Sequence, residues 1–409
     1  MGTTTTTKDL GGAHGSSKQT LSNVDAVKDD GKKDAQKQKP HPVRLDSYSA
    51  KLFFQRNDFS YIDPIADPNR NKRAGAKGYL PSALFKALLL MYLLSLDSLL
   101  ELIRFLNKNS EWVVLLGMKR NVKGTPKYIV PNRTAFNHFV NRLGPDRIVE
   151  ILAVMVARLM KMGVIKGEKV SLDCKIIWAY FKPCTFGNKH DHRGKDRKCK
   201  KHKSRDRDAS WIWDHHREQY VYGYKIHILM DSLSGLPVML TVTKAGFGEN
   251  RTVPWFVEMI LKLGLHVKEF LADGAYDSYD TRKRIIKKLK ALALITLNPR
   301  NCKGKDHDAK MKRVKKLRHK WYLKNFFAKW WIDPDSEFYD KEFDKRTFSE
   351  QGFSIGKGSL NLDAFNHGGK TWATLHAACI CLVMLGVAKT AVEIGRPDLT
   401  RCVKCFQGL

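Results

Sequence analysis

Asp273 directly follows the apolar run Phe270, Leu271 and Ala272 and precedes Gly274, so a short buried strand is expected to deliver a carboxylate to its C-terminal end. In α/β proteins that end of the sheet is where ligands bind. Taken alone, an aspartate so placed is more often a turn former or helix cap. In "VSLDCK", Val170, Leu172 and Cys174 alternate with Ser171 and Asp173, so a second strand is expected with its acid on the face opposite the apolar neighbours. A third acid, Glu350, lies in "FDKRTFSEQGFSIGKGSL". There Phe343, Arg346, Glu350 and Lys357 follow one another at intervals of three, four and seven residues, which on one α-helix puts all four on one face. A structural, salt-bridged helix face has the same pattern. Carboxylates are hard oxygen donors, suited to small divalent cations rather than soft metals.

The elements that must position these acids follow from periodicity. From Tyr79 to about Ile165 apolar residues recur at helical spacing, with Pro81 near a helix start and Asp97-Ser98 suited to a break and cap, so an all-helical module is expected. Within it, "VPNRTAFNHFVNRLGPDRIVE" predicts a helix-turn-helix-like unit with Asn132 or Thr134 as cap and Gly144-Pro145 as the turn. Arg133, Asn137, His138 and Arg142 fall on one exposed side of its first helix, as a DNA-facing set or as a solvated polar face. After Asp173 comes the hairpin "YGYKIHILMDSLSGLPVMLTVTKA", with Asp231 in its turn, then the helix "VPWFVEMILKLG" leading into the Asp273 strand, and a last strand at 292–297. Five strands in this order give a mixed α/β sheet with flanking helices.

The sequence of 409 residues carries 73 Lys and Arg against 41 Asp and Glu, a formal net charge of +32. Self-repulsion on that scale is tolerated where a polyanion neutralises it, and nucleic acid is the first such partner; a ribosome-like or merely soluble basic protein is the alternative. The basic insertions at 182–217 and 301–340 suit phosphate tracking or plain solvation. In the second, aromatic residues interleave with Lys and Arg in a way that suits base stacking, or Trp330 and Trp331 anchor the insertion to the core. Cys184, His190, His192, Cys199 and His202 could supply zinc ligands, but their spacing matches no zinc signature, and zinc is not expected there. Residues 1–45 hold few large apolar side chains and read as a disordered tail. Eight scattered cysteines and an N-terminus without a signal-peptide pattern point to a reducing, cytoplasmic setting. The apolar runs "ALFKALLLMYLLSL" and "WATLHAACICLVMLGVA" are short for a membrane span and are expected as buried core helices. No Walker-type phosphate loop occurs, so no ATP requirement is expected. The expected division is a tail at 1–45, a helical DNA-binding and dimerisation domain at 46–165, a catalytic domain at 166–395 and a C-terminal tail at 396–409.

With these segments in hand, the chain resembles the DDE transposases of prokaryotic insertion sequences, over roughly residues 79–390. Their C-terminal signature is Tyr, two residues, Arg, three residues, Glu, six residues, Lys, matched here at Arg346, Glu350 and Lys357, with Phe343 in place of Tyr. "VSLDCK" and "LADGAYD" match the segments around the family's first and second aspartates, at Asp173 and Asp273. The resemblance implies an RNase H-like five-stranded sheet, Asp173, Asp273 and Glu350 as catalytic ligands of two Mg²⁺ or Mn²⁺ ions, and Phe343, Arg346 and Lys357 at the DNA. It implies cleavage at element ends followed by strand transfer, on double-stranded DNA, by a homodimer in the synaptic complex, at the nucleoid and away from membranes. A transposase-derived DNA binder that no longer cuts and a stand-alone nuclease are the alternatives. Phe343 lacks a hydroxyl to offer to DNA, and Gly352, Gly356 and Gly358 are expected to weaken the helix towards Lys357.

Overall fold

The computed structural model describes residues 49–72, 78–122, 125–181, 206–214, 217–299, 302 and 306–408, which fall within one compact unit, Leu45–Leu409. The tail expected at 1–45 and the candidate zinc ligands Cys184, His190, His192, Cys199 and His202 lie outside the described residues.

Helices α1 (Ala50–Arg56), α2 (Ile62–Ala66), α3 (Pro81–Leu93), α4 (Leu99–Lys108) and α5 (Ser110–Leu115) come first. Pro81 opens α3, where its missing N–H leaves no helical bond unmade. Ser98 caps α4 by accepting the Glu101 N–H at 3.2 Å, and Glu101 Oε2 in return accepts the Asp97 N–H at 2.7 Å. The module is not all-helical, as it was expected to be: β1 (Lys119–Val122) and β2 (Thr125–Tyr128) pair antiparallel. These strands are four residues each, and β2 is exposed along its whole length, so they lack the apolar alternation that announces a strand. α6 (Arg133–Lys161) begins at Asn132, whose side chain accepts the Ala135 N–H at 2.9 Å. It breaks at Gly144, which adopts φ 70° before Pro145.

The sheet is built from β3 (Lys169–Trp178), β4 (Ser210–Asp214), β5 (Gln219–Asp231), β6 (Leu236–Lys244), β7 (Glu269–Ala272) and β8 (Leu292–Ile295). β5 pairs antiparallel with β3 on one edge and with β6 on the other, and β4 continues that second edge past Gly223. β7 and β8 extend the sheet in parallel from β3. Among the described residues the sheet therefore has six strands rather than the five expected. The extra strand, β4, comes from the stretch assigned to a basic loop, because its five residues are flanked by charge on both sides. Gly223 marks the hand-over between β6 and β4. A Cβ there would lie 2.0 Å from the Ile177 carbonyl oxygen, so only glycine lets β3 approach at that point.

α7 (Val253–Lys262) connects β6 to β7. α8 (Tyr279–Arg284) and the π-turn Ile285–Leu289 connect β7 to β8. The chain continues through α9 (His307–Lys324), α10 (Glu337–Phe343), a 3₁₀ turn (Asp344–Arg346), α11 (Thr347–Leu360) and α12 (Lys370–Glu393). α12 is long and apolar enough to cross a membrane, yet 89% of its most apolar window is buried inside the protein. It packs on α1, α3 and α6 and also on β5 and β6. α3 is likewise buried along its length. Residues 396–408 are packed rather than loose: Val403 and Phe406 are buried, Cys402 and Cys405 form a disulfide, and the Ala50 N–H donates to the Gly408 carbonyl at 2.7 Å.

Candidate active site

Asp173 and Asp273 reach the same place by strand pairing. β3 and β7 run parallel with Leu172 opposite Ala272, so the next residue on each strand is an aspartate. Asp173 Oδ1 accepts the Cys174 N–H at 2.8 Å. Burial pushes its carboxyl up to about 6; Asp273 and Glu350 add to the rise, while the Cys174 N–H and Arg346 oppose it. Asp273 caps the 3₁₀ turn Gly274–Tyr276, accepting the Ala275 N–H at 3.0 Å. Its carboxyl is raised by burial and by Glu249, with the Ala275 N–H and Arg346 acting against the rise. Cap and sheet-end acid, offered as alternatives by the sequence, are here one residue.

Glu350 lies in the first turn of α11, where Arg346 Nη2 is 2.7 Å from its Oε1. α11 sits close on β5 because Gly352 has no side chain: a Cβ there would be 2.4 Å from Met230 Cε. The glycines were expected to disturb this helix, but it stays regular to Leu360 and ends on Asn361 in the left-handed region, φ 54°. The single helix face expected for Phe343, Arg346, Glu350 and Lys357 is divided. Phe343 closes α10, and the 3₁₀ turn separates it from α11. Its ring stacks on Tyr339 at 5.3 Å beside Leu271 and Leu294, and the Arg346 guanidinium lies 5.5 Å from it. Lys357 is exposed on α11. Burial lowers Lys175, two residues past Asp173 on β3, and the charges of Lys357 and Arg217 lower it further against Asp363. Such a like-charge group is relieved by an anion.

Arg133, His138 and Arg142 are exposed on the first part of α6, and Asn137 is half-buried there. Several participants were not anticipated from the sequence. Glu249, which opens the 3₁₀ turn Glu249–Thr252 after β6, is 2.6 Å from Lys225 Nζ, and its charge raises Asp273. His227 is fully buried and its pKa is lowered by burial to about 3; it hydrogen-bonds the Tyr276 hydroxyl at 3.1 Å and the Thr243 hydroxyl at 3.0 Å. Alternation along β5 marked His227 as a strand residue, but nothing in the sequence tied it to the Asp273 turn.

The arrangement sets Asp173, midway along β3, beside Asp273, just past the end of β7, with Glu350 of α11 near enough to raise Asp173 and with Arg346 and Lys175 close by. Among the described residues no group of three or more His, Cys, Asp or Glu is drawn together closely enough to hold a metal ion. Glu350 is instead engaged by Arg346.

A mixed α/β sheet with these acids on and after its interior strands β3 and β7 is consistent with a DDE transposase domain. Residues 188–384 match the family model of the transposase DDE domain, and residues 35–142 match a transposase domain model, DUF772. Together these two matches support a transposase family for the chain and a DNA transposase function. Asp273 and Glu350 fall inside the DDE match, and Asp173 precedes it. No curated protein and no solved structure matched the chain.

Proposed function

We propose that this protein is a metal-dependent DDE transposase of the group with the Tyr-Arg-Glu-Lys signature, acting on double-stranded DNA at element ends and joining those ends to a target. The observation that carries the reading is the parallel register of Leu172 with Ala272, which sets Asp173 beside Asp273, together with the Arg346–Glu350 pair of α11, whose charges both act on Asp173. The pairing of β3, β5 and β6 antiparallel, with β7 and β8 added to β3 in parallel and β4 as an extra antiparallel strand on β5, supports an RNase H-like core.

The donor set fits hard divalent cations. It consists of carboxylates only, and two of them are held above the usual carboxylate range by burial and like charge, a cost that a cation would remove. Asp173, Asp273 and Glu350 would hold Mg²⁺ or Mn²⁺, with Glu350 turning from Arg346 to join the two aspartates. Two such ions supply Lewis acidity to the attacking and leaving oxygens of an in-line phosphoryl displacement. The Cys174 and Ala275 N–H groups fix the orientation of the two aspartates. Arg346 is then free to pair with a phosphate oxygen, and Lys175 and Lys357 neutralise the backbone of the bound strand. Water is the first nucleophile and the released 3′-hydroxyl the second. The protein works as a homodimer at the nucleoid and needs no ATP.

Purified protein, a labelled duplex carrying the DNA that flanks this reading frame, and Mg²⁺ test the reading. Asp173→Asn and Glu350→Gln are expected to abolish cleavage while keeping DNA binding, and cleavage retained by either one sinks the assignment. Transfer of the labelled end to a plasmid separates a transposase from a nuclease. A DNA binder that does not cut is the second reading, favoured by the engagement of Glu350 with Arg346; absence of cleavage by the wild-type protein at every divalent ion tried would select it.

A further inference from the structure

Beyond the carboxylates, we propose that the outer face of α9, together with Phe326 at its end, is a second DNA-contacting surface, held in register with the Asp273 turn through Asp277. The proposal rests on the transposase reading above and adds the element that holds the duplex beside the cut.

The inner face of α9 is defined by Val314, Arg318 and Tyr322, buried and spaced four residues apart. Arg318 Nη2 lies 3.0 Å from Asp277 Oδ2, and Arg282 Nε lies 2.8 Å from Asp277 Oδ1; the Asp277 side chain is fully buried. Asp277 is four residues past Asp273 and closes the 3₁₀ turn that Asp273 caps. Arg282 also donates to the carbonyls of Ala293, at 3.1 Å, and Ile295, at 2.6 Å, and to the Tyr322 hydroxyl at 3.4 Å. One carboxylate thus ties the helix, the catalytic turn and, through Arg282, β8 together.

The opposite face carries Lys312, Arg313, Lys316, Lys320 and Lys324, all exposed. Among the described residues none of the five forms an ion pair, whereas their neighbour Lys315 is paired with Asp333 and Asp335, each at 2.5 Å. The helix therefore neutralises the cation that leans towards the protein and leaves the outward stripe uncompensated. Phe326 follows the helix with φ 60°, a position usually given to glycine, and is 93% exposed. A row of bare cations ending in an aromatic ring held out in solvent matches an anionic backbone that ends in an exposed base face, as at the cut end of a duplex. An acidic protein or an anionic membrane would meet the same charges, and the transposase matches are what select DNA between them.

The test is equilibrium binding of the full-length protein to the same duplex over a series of salt concentrations. The triple variant Lys312→Ala/Lys316→Ala/Lys320→Ala is expected to flatten the slope of log K against log salt by roughly 2.7, about 0.9 for each phosphate that is no longer neutralised. Phe326→Ala is expected to weaken binding several-fold with the slope unchanged, as loss of stacking requires. Arg318→Met, which frees α9 from Asp277 while Arg282 stays paired, is expected to keep the slope and lower cleavage at least tenfold. A wild-type slope in the triple variant, with melting temperature unchanged, overturns the proposal, and wild-type cleavage by Arg318→Met overturns its register component. A slope that flattens on anionic vesicles but not on DNA also overturns it. If the wild-type protein binds no duplex at all, the transposase reading itself fails, a result distinct from these.

Discussion

Arg346 Nη2 lies 2.7 Å from Glu350 Oε1, one helical turn away, and the same guanidinium lowers both Asp173 and Asp273. One cation therefore restrains three acids. Asp173 needs to be ionised to take a metal ion, so cleavage is expected to fall as the pH drops through about 6, the value to which burial raises it. Arg346→Ala removes the opposing charge and is expected to move that acidic limb to higher pH as well as lowering the maximal rate. A pH–rate profile for both proteins checks this, and an unmoved limb would show that Arg346 does not act on Asp173.

Asp173 also has a consequence for stability. Its folded pKa is raised above the value of a free aspartate, so the folded state holds the proton more tightly than the unfolded one. Stability is then lost as pH rises from about 4 to about 6, and the full penalty applies above that range. Asp173→Asn keeps an acceptor for the Cys174 N–H and removes the charge. It is expected to stabilise the protein at pH 8 by on the order of 2 kcal/mol, with no gain below pH 4. Mg²⁺ is expected to raise the melting temperature of the wild type and to have less effect on the variant. Thermal melts at the two pH values, with and without the ion, decide it.

The closeness of α11 to β5 depends on Gly352 meeting Met230. Gly352→Leu is expected to destabilise the fold by about 1–3 kcal/mol, as overpacking does, and to displace Glu350 and slow cleavage. Met230→Ala makes room and is expected to restore part of both. Gly223→Ala meets a backbone carbonyl instead of a flexible side chain, and no second-site truncation is expected to rescue it.

Asp277 offers a further test. Removing its carboxylate in Asp277→Ala leaves Arg282 and Arg318 buried without their counter-ion, with an expected cost of about 3–5 kcal/mol. Chemical denaturation measures it. A loss below about 1 kcal/mol would mean that the two arginines find other acceptors.

Much of the fold was legible because it is written in period and punctuation. β3, the β5–β6 hairpin, β7 and β8 alternate or run apolar between turn residues, and Asp273-Gly274 marks the end of its strand. β1, β2 and β4 were hidden, since strands of four or five residues amid charge leave no periodic trace. The spacing of Arg346 and Glu350 carried their ion pair, as one helical turn permits. It could not carry the break between Phe343 and Arg346, where the chain tightens into a 3₁₀ turn so that Phe343 can stack on Tyr339. Glu249, His227 and Asp277 were out of reach for another reason: their partners Lys225, Tyr276 and Arg318 are set by tertiary packing and by no local rule.

α12 is the support on which both the leading helices and the sheet rest, and it begins only at Lys370. During synthesis, the apolar surfaces that it will cover on α1, α3, α6, β5 and β6, among them the Phe53 ring that meets Gly386, leave the ribosome before it does. The nascent chain therefore has to carry an open core until α12 has been made, and a product truncated before residue 370 would be prone to aggregate.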